Sequence, residues 1–405
     1  MNKMIPFKEL VSYEDALKRI RKSIKPIMRI ESVRVEESFS RVLAEDIVAD
    51  MFVPPFDRAA MDGFAVKAED TFEASSFKPR TLKLVETLHA GASSTRVLSK
   101  GECFQVATGA PIPKGADAVV MVEFTEKDGN DIDILKPVYP GANISPRGED
   151  IEEGQVVLET GRQLLPARVG ALAALGRKEV KVYEKPRVAV VPTGTEIREV
   201  GSPLKEGQIY DVNSYTLTSV IQGNGAIPTK HKAVPDTVDE LRSTMKKMLD
   251  YDMVVFSGGS SVGERDLLKS VIQEFGTVLF HGIQIKPGKP TLFALVTGKP
   301  VFGMPGYPTS CLLNAYLILV PAIRQMARLP LKTGKTRKMP IAKRVVSSSG
   351  RTQFLTVKIK DNQAYPVFKQ SGAITSMTEA DGYIILPINI DVVEKNQEVT
   401  VFLFE

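Results

Sequence analysis

Between Met253 and Asp266 the chain passes from the apolar run Met253-Val254-Val255-Phe256 into Ser257-Gly258-Gly259-Ser260-Ser261-Val262-Gly263-Glu264-Arg265-Asp266. An unbroken apolar run of this kind reads as a strand buried on both faces, as in parallel sheets. Beyond the turn, Leu267, Leu268, Val271, Ile272 and Phe275 recur at helical spacing, and Gly276 stands where a helix would stop. Strand, small-residue turn and amphipathic helix in this order belong to α/β proteins. Glycines let backbone N–H groups approach an oxyanion, and a helix start adds partial positive charge. The turn therefore reads either as a phosphate cradle built from Gly258, Gly259 and Ser260, with Glu264 and Asp266 beside it for a counter-ion, or as a tight structural turn. No lysine follows Gly263, which disfavours a Walker loop and an ordinary ATPase.

The same alternation extends on both sides. Strand-like Val188–Val191 leads to Pro192-Thr193-Gly194-Thr195-Glu196, a helix is expected over 213–222, a strand within 226–234, and a helix capped by Asp236 or Thr237. After Lys286-Pro287-Gly288-Lys289-Pro290, a strand over 291–296 and the turn Gly303-Met304-Pro305-Gly306-Tyr307-Pro308 lead into the most apolar run, Cys311 to Ile323. Strands alternating with helices imply an open, mostly parallel sheet, whose ligands bind at the carboxyl ends of the strands. Upstream, residues 51–142 show short β-like runs (81–85, 103–107, 118–124) broken by Gly/Pro turns, a compact β-rich insertion. Helices are expected over 12–24, with Ser12 and Asp15 in a capping-box pattern, and over 166–175. After a basic linker at 331–340, the remaining residues alternate as strands (354–359, 383–386, 398–403) and suggest a small β-barrel or sandwich.

A length of 405 residues exceeds one ordinary core. With 53 basic against 48 acidic residues, the net charge of +5 implies no nucleic-acid partner, while an anionic small molecule would not be repelled. Two cysteines, Cys103 and Cys311, make neither a disulfide framework nor a thiolate metal site, and His89, His231 and His281 form no close pair for zinc. The amino terminus shows no signal-peptide pattern, and the Cys311–Ile323 run, interrupted by Asn314 and Pro321, is shorter than a bilayer requires. A buried helix or subunit contact, no membrane span and a cytoplasmic location are expected.

Two groups of side chains carry chemistry. Lys286 and Lys289 present two cations on a proline-stiffened turn, suited to a phosphate or tetrahedral oxyanion; the alternative is a solvated basic loop. Asp62, Asp150, Glu196, Asp211, Asp236 and Asp266 all lie in or beside turns. Each is either a turn or cap residue or one of the few carboxylates that Mg²⁺ takes together with water and phosphate oxygens. Thr108 offers a hydroxyl that donates to an anion or is an ordinary loop hydroxyl, and His281 reads as structural.

In order along the chain stand Ala60-Met61-Asp62-Gly63-Phe64-Ala65, Thr108-Gly109-Ala110-Pro111-Ile112-Pro113, Arg147-Gly148-Glu149-Asp150-Ile151, Thr193-Gly194-Thr195-Glu196 and Ile209-Tyr210-Asp211-Val212-Asn213. The glycine–serine turn, the lysine turn and Met304-Pro305-Gly306-Tyr307-Pro308-Thr309-Ser310 complete the series. Over nearly its whole length this resembles the molybdopterin molybdenumtransferase family, which includes the carboxy-terminal domain of gephyrin. The resemblance implies a multi-domain α/β plus β chain: an elongated discontinuous domain (1–50 and 143–183), a β-rich domain (51–142), a molybdopterin-binding α/β domain (184–330) and a β-barrel (331–405). It implies a homodimer acting on adenylyl-molybdopterin and molybdate, with hydrolysis of the phosphoanhydride and release of AMP. On this reading Glu196, Asp236 and Asp266 bind Mg²⁺ or position the hydrolytic water, and Asp62 and Asp150 assist. Thr108, Gly258, Gly259, Ser260, Lys286, Lys289, Pro290, Pro305, Pro308, Ser310 and Arg351 hold the substrates.

Three positions depart from the family pattern. Tyr307 stands in a turn that commonly reads Gly-Asn-Pro, Gly282 replaces a lysine, and Thr356 replaces an arginine for which Arg351 is the candidate substitute. They resemble a variant branch of archaea and some bacteria, and leave molybdate or tungstate open as the oxyanion. Two other functions fit parts of the pattern: adenylylation of molybdopterin, which the α/β domain alone suffices for in related proteins, and a non-catalytic pterin-binding scaffold.

Overall fold

A computed structural model describes residues 10–258, 267–332, 334–347, 350–367 and 372–404. The chain divides into two compact units, one of residues 32–39 and 43–182, the other of residues up to 31, 40–42 and from 183 onward.

The first unit is β-rich. Its six-stranded sheet has the order Ala118–Met121, Gly63–Val66, Glu102–Val106, Arg80–Leu88, Asp131–Ile134, Thr125–Asp128. Side chains alternate between two cores: Phe64, Val66 and Val120 enter one, Ala65 and Val119 the other. Burial on both faces is why these strands read as continuous apolar runs rather than alternating ones. Gly63 lies so close to the neighbouring strand that a Cβ there would stand 2.0 Å from the Val120 carbonyl oxygen. A further core joins Leu43 and Ile47 with Ile151, Leu164, Leu172 and Val182, so segments distant in sequence fold together.

The second unit holds a six-stranded sheet of order Ile227–Lys230, Arg187–Pro192, Met253–Ser257, Lys299–Met304, Leu292–Val296, Gly276–His281. The first four strands are parallel, and Leu292–Val296 runs antiparallel to both its neighbours. Val188, Val190, Met253 and Val255 face a core that includes helix Asn213–Gln222 and the Pro308–Met326 helical segment; Ala189, Val191, Val254 and Phe256 face helices Val238–Met248 and Leu267–Phe275. Each fully buried Val or Phe contributes about 1.5–3 kcal/mol, so this two-sided layer dominates the unit's stability.

Three features add to the sequence reading. Helix Tyr13–Ser23 forms as expected, with the Ser12 hydroxyl accepting from Asp15 N at 3.0 Å. Its stripe of Ala16, Ile20 and Ile24 enters the core of the α/β sheet, so this helix belongs to the second unit. An amphipathic stripe demands a core without specifying which. The helix stops at Phe275, directly before Gly276 as expected, and Gly276 at once opens the strand that ends at His281, where a Cβ would stand 2.0 Å from the Leu295 carbonyl oxygen. The long apolar segment is helical throughout but widens into one π-turn, Ala315–Leu319, just before Pro321. Proline offers no N–H to the preceding turn, and a π-turn absorbs that loss. Among the described residues no helix is long and apolar enough to cross a membrane.

The carboxy-terminal strands form a second sheet in this unit, ordered Ile285–Lys286, Thr352–Lys360, Gly382–Leu386, Glu398–Leu403, Thr336–Pro340, with Gln363–Pro366 also paired to Thr352–Lys360. The parallel pairing of Ile285 with Thr352 and Lys286 with Gln353 positions the site, because it places Arg351 beside the lysine turn.

Candidate active site

The chain leaves strand Arg187–Pro192 toward one sheet edge and later crosses to Met253–Ser257 on its other side. Loops diverge where the strand order reverses, and a crevice opens at the carboxyl ends of the strands. A cleft of about 1080 Å³ lies there. Thr193, Gly258 and Pro305, the residues that follow three parallel strands, line it. Thr193 N donates to Ser257 O at 2.9 Å and Gly258 N to Met304 O at 3.2 Å, which ties the strand ends together. Gly258 has φ +92° and approaches Thr193 so closely that a Cβ would lie 2.6 Å from its carbonyl oxygen. Glycine is therefore required at this position by the backbone alone.

One wall is acidic. Glu196 folds back over Gly194, where a Cβ would meet its carboxylate at 2.6 Å, and Asp236 lies near it. Helix Val238–Met248 takes its cap from Thr237, whose hydroxyl accepts from Glu240 N, so Asp236 is not consumed as a cap. Asp236 is open to solvent, yet enough protein surrounds it that burial, and then the Glu196 charge, push its carboxyl above the usual range. Thr193 opposes this shift, although its buried hydroxyl makes no hydrogen bond of normal geometry. Two repelling carboxylates of this kind suit a hard cation.

The other wall is basic. Lys286, Lys289 and Arg351 line it, and burial, then the Arg351 charge, hold the Lys289 ammonium below its usual range. Pro290, Pro305, Pro308 and Ser310 line the same cleft. Arg351 thus reaches the cleft, whereas Thr356 is buried and donates its hydroxyl to Val367 O at 2.8 Å. Ile197, Leu204, Ile209 and Tyr210 add an apolar flank, and Tyr307, which is 65% exposed, stands at the opening with Gly372. Such a surface accommodates a flat ring.

Asp211 also lines this cleft, but it is buried and accepts from Ser214 N at 3.0 Å, the turn-capping role. Other expected residues lie elsewhere. Asp62 and Thr108 belong to the β-rich unit and meet there: Thr108 N and Oγ1 both donate to Asp62 Oδ1, at 2.6 and 2.7 Å. The backbone bond first, then the hydroxyl, lowers the Asp62 pKa and keeps it ionised. Thr108 therefore orients Asp62 with both donors. Asp150, also in that unit, borders a hollow formed with helix Pro166–Ala174. Gly259, Ser260 and Asp266 fall outside the described residues, and among the described residues no three metal-binding side chains converge. Sequence reasoning assigned no role to Asn213, Tyr210 or Asn314; only the last carried its own signal, as a polar break in an apolar run.

Comparison with known proteins identifies the family. Residues 11–176 match the MoeA N-terminal region (domain I and II), 189–325 a probable molybdopterin binding domain, and 338–404 the MoeA C-terminal region (domain IV). A molybdopterin molybdenumtransferase of Bacillus subtilis is 34% identical over 384 residues, covering 92% of this chain and 89% of that protein. The chain belongs to the MoeA family. A molybdenumtransferase of Staphylococcus aureus (strain COL) is 32% identical over 88% of this chain and 87% of its own length. The crystal structure of a MoeA protein from Pyrococcus horikosii superposes with a TM-score of 0.85 at 41% identity, covering 98% of this chain and 100% of that one. The multi-domain α/β plus β architecture is thus that of the MoeA family.

Proposed function

We propose that this protein is a molybdopterin molybdenumtransferase acting in molybdenum cofactor biosynthesis: it inserts molybdate, or tungstate, into adenylyl-molybdopterin with hydrolysis of the phosphoanhydride and release of AMP. The observation that carries this reading is the single cleft that pairs Glu196 and Asp236 with Lys286, Lys289 and Arg351. The basic wall offers guanidinium and ammonium donors to a tetrahedral oxyanion or phosphate, and the apolar flank takes the flat ring system. The oxygen-only acidic pair fits Mg²⁺, and Glu196 and Asp236, joined by Asp266, would hold it. When bound, the ion supplies positive charge against the charge that builds on the phosphoanhydride oxygens. The residues themselves orient the anhydride, hold the oxyanion and place the attacking water.

We further infer a homodimer in which Asp62, Thr108 and Asp150 of one copy face the cleft of the other, in the cytoplasm. The carboxy-terminal sheet we read as a small β-barrel, because Ile341 bridges Ala364 and brings the strand order back to Thr352–Lys360. Incubation with adenylyl-molybdopterin, Mg²⁺ and molybdate tests the central reading. Molybdate-dependent AMP release supports it, and the Asp266→Asn variant should then release none while remaining dimeric. Pyrophosphate released from ATP and free molybdopterin would instead establish adenylyl transfer, and binding without turnover a scaffold.

A further inference from the structure

The Pro308–Met326 segment, otherwise dominated by apolar side chains, contains a fully buried amide that the proposed reaction does not use. Asn314 has 0% exposure and lies between Leu313 and Ala315, both equally buried. Its Nδ2 donates to Gly288 O at 2.9 Å and to Thr291 Oγ1 at 2.7 Å, and Thr291 Oγ1 donates to Gly288 O at 2.9 Å. One carbonyl at the centre of Lys286-Pro287-Gly288-Lys289-Pro290 is thus held by two side chains. The packing is equally close: Gly288 has φ +100°, and a Cβ there would stand 2.3 Å from the Asn314 amide. Asn314 Oδ1, by contrast, has no hydrogen-bond partner among the described residues. Leaving a buried acceptor unpaired is unfavourable, so the apolar packing of the helix alone does not call for an amide here, and leucine would meet that packing need without the unpaired oxygen. What leucine cannot supply is the pair of donor contacts to the turn. Ser310, one helical turn earlier, lines the cleft together with Lys286 and Lys289. The helix therefore supports the basic wall at two points, one at the surface of the cleft and one behind it.

We infer that Asn314, acting with Thr291, is a positioning residue that holds the Lys286–Pro290 turn in its oxyanion-binding conformation and so sets oxyanion affinity without touching the ligand. The inference rests on the proposed reading of the basic wall as the oxyanion site. Two ammonium groups that depend on one glycine carbonyl for their spacing lose affinity when that carbonyl is free to rotate.

Calorimetric titration of the full-length protein with sodium molybdate tests it, using Asn314→Leu, Thr291→Val and Lys289→Ala. Asn314→Leu should weaken molybdate binding about 10–100-fold, as loss of an outer-shell partner does at other ion sites, with stoichiometry unchanged. Thr291→Val should weaken it in the same direction by less. Unchanged stoichiometry separates misplacement of the turn from partial unfolding, which removes sites rather than weakening them. A folded Asn314→Leu protein that binds molybdate as wild type does, while Lys289→Ala loses binding, overturns the inference and leaves the oxyanion site standing. Absence of molybdate binding in the wild type overturns both. If Asn314→Leu shows no cooperative melting, Thr291→Val decides: weakened binding supports the clamp, and wild-type binding overturns it.

Discussion

The acidic and basic walls of the cleft bear electrostatic costs of the same kind and are supported in different ways. Burial, and then a neighbour of like charge, raises the pKa of Asp236 on one wall and lowers that of Lys289 on the other. On the proposed reading each wall would be stabilised by a ligand of opposite sign, a cation at the carboxylates and an oxyanion at the lysines. The lysine turn is fixed from behind by Asn314 and Thr291, whereas Glu196 rests on Gly194, an exposed carboxylate over a glycine. On the proposed reading the site is rigid where it would read an anion of defined shape, and compliant where carboxylates would adjust around an ion.

The strongest way to break this contrast is to neutralise the acidic wall. Asp236→Asn and Glu196→Gln should each lower molybdate-dependent AMP release by about 10²–10³-fold, with molybdate binding kept. Wild-type turnover in both variants would remove the acidic wall from the reaction. On the basic wall, Lys289→Ala should raise the molybdate concentration for half-maximal AMP release by about 10–30-fold and weaken pterin binding by much less. Equal effects on the two ligands would refute the division of labour. Backbone substitutions sharpen the rigid-versus-compliant distinction. Gly288→Ala should cost about 2–4 kcal/mol of stability, because its methyl meets a buried amide at positive φ. Gly194→Ala, which meets only a mobile carboxylate, should cost about 1–2 kcal/mol in the same denaturant titration.

Much of this was legible in the sequence, for reasons particular residues make clear. Strands such as Val188–Val191 and Met253–Phe256 are buried on both faces, so their apolar runs announce a parallel sheet, and ligand-binding loops follow from that topology. Lys286 and Lys289 showed themselves through the prolines beside them. What stayed hidden depends on long-range contact. Arg351 reaches the cleft because Thr352 pairs with Ile285, a register that neither segment specifies alone. Gly276 marks the true end of helix Leu267–Phe275, but the sequence does not show that a strand begins at the same residue, and of the two cap candidates, Asp236 and Thr237, it is Thr237 that holds the role. The motif resemblance supplied the reaction, which no pattern of burial contains.

The smallest predicted effect concerns stability against pH in the absence of Mg²⁺. A carboxyl whose folded-state pKa is raised favours folding fully only below its unfolded-state pKa, and that contribution is lost as pH rises through the folded value. Asp236→Asn should therefore melt about 1–2 °C above wild type at about pH 8, and the gap should close toward about pH 4. The depressed Lys289 mirrors this: its contribution is present above the unfolded-state pKa and lost as pH falls through the folded one, so Lys289→Met should also gain at neutral pH. Its gain should be under about 1 °C, since solvent still screens a partly exposed ammonium. Mg²⁺ should reverse the first ranking by stabilising wild type alone, and molybdate the second. A gap between Asp236→Asn and wild type that is indifferent to both pH and Mg²⁺ would show that the acidic wall bears no strain for a cation to relieve.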